Sequence, residues 1–83
     1  EGAMGELWGE CMNELLSMAQ MNGYACCHCA GKAIEKMGQG PADMALCCQL
    51  IQDCCDAGML YPQRHPDQQR YGDIMVYMPS SAE

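Results

Sequence analysis

Sulfur carries most of the chemical reach of this chain: of its 83 residues eight are cysteine and nine are methionine, and six of the cysteines stand in adjacent pairs, Cys26-Cys27, Cys47-Cys48 and Cys54-Cys55. A thiol can bond another thiol, ligate a soft metal, act as a nucleophile, or pack as a small hydrophobe. Cys26-Cys27-His28-Cys29 holds a Cys-x-x-Cys with a histidine inside it. Joined across a helix pair by Cys47, Cys48, Cys54 and Cys55, it would have the donor types of a zinc or Cu(I) site, and methionine thioethers would favour copper. The spacing argues the other way. Structural zinc hooks are well-separated Cys-x-x-Cys or Cys-His pairs on turns, whereas the later cysteines lie one and seven residues apart, and methionine at helical spacing belongs to a core. The expectation is no metal and no cofactor; a metal, were one held, would fall to Cys26, His28, Cys29, Cys54 and Cys55.

Cys26 and Cys29 also permit a redox reading, because a helix N-terminus just after Gly23-Tyr24 would lower a thiol pKa. The strand that precedes such a motif in thioredoxin-like folds has no counterpart in the pattern. Hydrolytic signatures are missing too: there is no Gly-x-Ser-x-Gly, no His-Glu-x-x-His and no glycine-rich phosphate loop. A Cys–His nucleophile pair using His28 or His65 can be drawn, but eight cysteines and two histidines always allow one. The chain is read as non-enzymatic.

At this length there is room for one domain with a thin core. Eleven Asp and Glu against four Lys and Arg give a net charge of -7. A field of that sign repels phosphates and anionic lipid, which disfavours DNA and membrane and favours a basic protein partner. No run approaches the roughly 18 apolar residues of a membrane span, and the first residues lack the basic-then-apolar layout of a secretory signal. Glu1-Gly2-Ala3 reads either as a remnant ahead of Met4 or as a processed end. Cysteine at this density in a short chain is the mark of a secreted disulfide scaffold. Here, however, 49% of the residues are hydrophobic and the cysteines fall in helically patterned segments. A cytoplasmic protein with reduced, packed thiols is the expectation; the alternative is a secreted, disulfide-stapled signalling or effector protein.

Three helical periods must position these thiols. Glu6 to Gln20 places Leu7, Trp8, Cys11, Leu15, Met18 and Ala19 on one face and stops at Asn22-Gly23. Tyr24 to Met37 turns Cys26, Cys29, Ala30, Ala33, Ile34 and Met37 inward and sets His28, Lys32 and Lys36 in an outward line. After the Gly38-Gln39-Gly40 turn, Pro41 suits the first position of a third helix that runs to about Ala57, with Gly58 as its cap. Its inward stripe is expected to be Met44, Cys47, Cys48, Ile51, Cys54 and Cys55, and its outer face Gln49, Gln52, Asp53 and Asp56. Met59-Leu60-Tyr61 and Ile74 to Met78 read as two strands around a polar loop at His65-Pro66-Asp67. The fold class is mainly α with a C-terminal β-hairpin: one domain over 5–78, a flexible start over 1–4 and a flexible tail over 79–83.

Helix, helix, glycine turn, helix and hairpin is an order that resembles the winged helix-turn-helix fold. The likeness is greatest from Pro41 to Tyr77, where Cys55-Asp56-Ala57-Gly58-Met59-Leu60-Tyr61 closes the third helix and Arg64, His65, Arg70 and Tyr71 sit in the wing. It implies a third helix that enters the DNA major groove and a wing that contacts the backbone. The outer face of that helix departs from the pattern, because two glutamines and two aspartates leave nothing to neutralise phosphate. Lys32, Lys36, Arg64, His65 and Arg70 are the candidate nucleic-acid contacts. A winged helix with such a face implies instead a regulatory protein-interaction module. Its candidate partner-binding residues are the acidic edge Glu6, Glu10 and Glu14 and the face Gln49, Gln52, Asp53 and Asp56. The partner would be a basic protein, or the His28, Lys32 and Lys36 line of a second copy in a homodimer.

Overall fold

The computed structural model describes residues 2–38 and 40–80, the side chains of residues 2–6 excepted. In chain order it has α1 (Gly2–Asn22), α2 (Cys27–Lys36), α3 (Met44–Asp56), β1 (Leu60–Arg64), the single turn α4 (Gln68–Tyr71) and β2 (Met75–Pro79). The chain is mainly helical with a C-terminal antiparallel hairpin, as its periodicities predict.

Glycine ends two of the helices where expected. Gly23, with φ of 92°, donates back to the Ala19 carbonyl at 2.8 Å, and Gly58, with φ of 77°, donates to Cys55 at 3.0 Å. Both conformations are open to glycine and strained for other residues. The helix starts differ from the sequence reading. Tyr24 to Cys26 is not helical, because Ala25 is extended and exchanges two backbone hydrogen bonds with Tyr77, each 2.8 Å long. That pairing leaves Cys26 as the N-cap of α2. Pro41 likewise precedes α3 rather than opening it, since the Asp43 carboxylate takes the cap position and accepts from the Leu46 N–H at 2.8 Å.

The interior is built from small side chains. Cys11, Leu15 and Ala19 of α1, Ala30, Ala33 and Ile34 of α2, Cys47, Leu50, Ile51 and Cys54 of α3, Ala25 and Leu60 form one buried cluster without an aromatic ring. The inward stripe of α3 is therefore rotated from the predicted one. Leu50 is fully buried, whereas Met44 is 67% exposed and Cys48 lies on the surface. A fully buried leucine removes more apolar area from water than a methionine at the first turn of the helix could, so the helix settles with Leu50 inward.

The hairpin pairs Leu60 with Pro79 and Arg64 with Met75 at its two ends. Only Leu60 of β1 is buried, which anchors the ribbon to the core at one end. Ser80 extends that anchoring by donating to the Met59 carbonyl at 2.9 Å, so the ordered ribbon runs past Met78. Ser81 to Glu83 lie outside the described residues. Inside the loop, Asp67 accepts from the Arg70 N–H and starts α4, an element the polar composition of the loop did not suggest. Leu50→Ala should cost about 2–5 kcal/mol of unfolding free energy in urea titration, as for other buried leucines. Met44→Ala should stay within about 0.5 kcal/mol. Equal effects would mean that α3 faces the other way.

Candidate functional site

Adjacent residues on a helix point about 100° apart, so each neighbouring cysteine pair of α3 has one thiol in the interior and one turned toward the surface. On α3, Cys47 is buried against α2, where a methyl group on Gly31 would sit 3.5 Å from the Cys47 sulfur. Its neighbour Cys48 is exposed. One helical repeat later Cys54 is fully buried, with its thiol 3.8 Å from the Met12 carbonyl, and Cys55 is half-buried. The two outward thiols, Cys48 and Cys55, share a groove of about 360 Å³ with Cys27 from the start of α2, Ile51 and Gln52 of α3, Pro62 of β1 and Tyr77 of β2.

Burial raises the pKa of six of the eight thiols. Cys11, Cys27, Cys29, Cys47, Cys54 and Cys55 are all pushed above the usual thiol value, and burial is the largest cause for each. For Cys27 the nearby Cys48 and Cys26 thiols add to it, and for Cys55 the Asp56 carboxylate does. Tyr77, half-buried beside the same three groove thiols, is also pushed up, by burial first and then by those thiols. The groove is lined by polarizable sulfur, with Tyr77 and Pro62 on the ribbon side.

The proposed metal set is not assembled. Cys26 and Cys29 meet at the start of α2 with sulfurs 3.7 Å apart, but His28 is exposed, Cys54 is in the core, and Cys55 faces the groove. Among the described residues no group of three or more Cys, His, Asp or Glu is placed to hold a metal ion. All eight cysteines are free.

The charged candidates are largely engaged within the chain. Lys36 Nζ reaches Glu14 at 3.0 Å, so the basic line of α2 and the acidic edge of α1 neutralise each other at that point. Asp53, expected on an open face, is half-buried and accepts from Trp8 Nε1 at 2.6 Å and from Gln49 Nε2 at 2.8 Å. Gln52 Nε2 donates to Asp56 at 2.9 Å, and Gln49, Gln52 and Asp56 are exposed. Glu10 and Lys32 are exposed as well, while the Glu6 side chain lies outside the described residues. In the wing, Arg64 lies 3.8 Å from Asp73, and Arg70 packs over the Tyr71 ring at 5.4 Å.

His65 is corrected most sharply. It is 8% exposed, stacked on Tyr71 at 4.0 Å between ring centres and edge-on to Tyr24 at 5.0 Å. Its Nδ1 accepts from the Asp67 N–H at 2.9 Å, so in the neutral ring the proton sits on Nε2, which faces the Tyr24 hydroxyl at 3.2 Å. Both ring nitrogens have partners within the chain, and the residue closes the hairpin loop. Nothing matches this chain in comparisons with protein families, with curated proteins and with solved structures.

Sequence reasoning missed Cys27, Cys48, Pro62 and Tyr77 as groove residues, because a groove between a helix and a ribbon has no local signature. It also missed the Trp8 bond to Asp53, which spans 45 residues of chain. Trp8→Phe keeps a ring but removes that donor from a half-buried carboxylate, and should cost about 1–3 kcal/mol in urea titration. No loss would detach Trp8 from α3. A second expectation follows from Cys54, whose thiol is raised from 9.0 to about 12 by burial, then by Cys55 and Asp53. A raised folded-state value favours the fold fully below the unfolded value, and that contribution fades as pH climbs toward the folded one. The denaturant midpoint should fall between pH 9.0 and about 12, and Cys54→Ala should flatten the fall. An identical slope in the variant would contradict the burial of that thiol.

Proposed function

We propose that this protein is a non-enzymatic regulatory module of winged-helix type that docks a basic protein segment along the outer face of α3. The observation that carries the reading is the surface there. An apolar and thiol-lined groove, with Ile51, Pro62 and Tyr77 in its walls, is edged by Gln52, whose amide is held on the Asp56 carboxylate. A lysine or arginine could pair with Asp56 while a neighbouring apolar side chain enters the groove. Complementary charge of this kind sets encounter rate and specificity more than raw affinity.

Three further features support the reading. The net charge of -7 is unfavourable for duplex DNA. One of the wing's candidate contacts, His65, is committed to its aromatic cluster, and another, Arg64, has the Asp73 carboxylate 3.8 Å away at the surface. The extended residue Ala25 adds one rung to the hairpin from between the first two helices, so the ribbon that forms one wall of the groove is fastened to the helices. No helix among the described residues is long and apolar enough to cross a membrane. A cytoplasmic site of action fits cysteines that are all unbonded.

Fluorescence anisotropy with a labelled Lys/Leu-alternating peptide and a labelled DNA duplex tests the proposal. The peptide should bind, bind less as salt rises, and lose at least about tenfold in affinity with Asp56→Lys, roughly the scale of a single close charge contact. Glu35→Lys, the same charge change on exposed α2, should have a smaller effect. Tighter binding to the duplex, or equal losses from the two variants, would overturn it.

A further inference from the structure

We propose that Cys26 and Cys29 form a thiol–disulfide exchange site that reduces one equivalent of a low-molecular-weight organic disulfide per chain, without turnover. The two sulfurs are 3.7 Å apart, with the Cys26 thiol directed at Cys29. A disulfide needs about 2.05 Å between sulfurs, so bonding requires a side-chain adjustment within one helical turn and no movement of one element against another. The competing pair is Cys27 with Cys48, whose thiols interact across the groove, but bonding them would tie the start of α2 to the middle of α3.

The two thiols differ in the way the chemistry requires. Cys26 is the N-cap of α2 and makes no side-chain capping bond, so its sulfur is free of backbone duty. It opens on an apolar pocket of about 240 Å³ lined by Tyr24, His65, Tyr71, Ile74 and Val76, through which a disulfide can approach. Cys29 is the more enclosed partner. Burial pushes its thiol up, and the backbone at Cys26 and the Lys32 charge partly oppose that. Cys29 stands one helical turn on with its sulfur 3.7 Å from that of Cys26, within reach of the Cys26 sulfur once a mixed disulfide has formed there.

The exchange balances without a cofactor. The Cys26 thiolate attacks one sulfur of the substrate, the substrate S–S bond breaks, and the first thiolate leaves and takes up a proton, with Cys26 held in a mixed disulfide. The Cys29 thiol then gives up its proton and attacks the Cys26 sulfur. The mixed bond breaks, the Cys26–Cys29 bond forms, and the second thiolate leaves and is protonated. Two electrons pass from the dithiol to the substrate, which becomes two thiols.

The experiment treats the whole protein with glutathione disulfide, quenches in acid at intervals, alkylates the remaining thiols and maps the bonds by peptide mass spectrometry. The Cys26–Cys29 bond should form first, at least about tenfold faster than any bond at buried Cys11 or Cys54, as access controls exchange. Cys29→Ser should accumulate glutathione on Cys26, and Cys26→Ser should not accumulate it on Cys29. A Cys27–Cys48 bond formed ahead of Cys26–Cys29 in the unaltered protein overturns the proposal, as does Cys29→Ser that keeps its helical circular dichroism but traps no glutathione at Cys26. The mapping on the unaltered chain decides the matter even if a variant misfolds.

Discussion

Two backbone hydrogen bonds between Ala25 and Tyr77, each 2.8 Å, govern where the rest of the molecule can go. They fasten the ribbon to the joint between α1 and α2, and they hold Ala25 extended so that α2 cannot begin before Cys27. An α2 that started at Tyr24, as periodicity alone suggests, would carry Cys26 on its first turn with helical backbone. Extended instead, the stretch from Tyr24 to Cys26 alternates its side chains, so Ala25 goes to the core while Tyr24 and Cys26 share the opposite pocket. β2 and the residue before it alternate in the same way, with Ile74 and Val76 on that pocket and Tyr77 on the groove of α3. One rung of sheet thereby sorts the aromatic and sulfur residues onto two sides.

Around that rung the helices approach closely because little stands between them. Ala30 and Ala33 are buried on α2, and Gly31 leaves room for a methyl group and little more before the Cys47 sulfur is met. Cysteine serves here as a compact hydrophobe, with Cys11, Cys47 and Cys54 in the interior. A core of such small volume gives a thin hydrophobic contribution, and polar ties that span elements gain weight accordingly. The Trp8 bond to Asp53 joins α1 to α3, and the Tyr24, His65, Asp67 group joins the linker before α2 to the hairpin loop. In each case a side chain that would be costly to bury alone has its partners supplied by a distant segment.

What the sequence disclosed and what it concealed divide along the same physical line. Local signals were legible: the amphipathic period of α1, the glycines at 23 and 58, and the strand pattern before Met78. The phase of α3 was ambiguous, because Cys47, Cys48, Cys54 and Cys55 weigh almost equally as hydrophobes and occupy a broad arc. The single Leu50 fixed the phase in the fold, and it lies beside that arc and not within it. Asp53 and His65 read as surface groups because the atoms that bury them, on Trp8, Tyr24 and Tyr71, come from remote positions or from a loop whose helical turn carries no strong propensity. A one-residue bridge such as Ala25 to Tyr77 leaves no periodic trace at all.

Cys26 and Cys27 are neighbours in sequence, yet they belong to different surfaces. Cys26 lines the pocket of Tyr24, His65 and Tyr71, and Cys27 lines the groove of Cys48, Cys55 and Tyr77. The bridge to β2 is made by Ala25, just ahead of both. Oxidation at Cys26 and Cys29 is confined to the first turn of α2 and leaves Asp56 and the α3 wall of the groove untouched. Docking at the groove, in turn, need not cover the Cys26 sulfur. Separate walls make the two proposed activities separable by substitution, because Asp56 has no part in the dithiol and Cys29 does not line the groove. Any coupling between them would have to pass through the Ala25 rung, which is short, fully buried at Ala25 and paired in both directions, and so resists small displacements on either side.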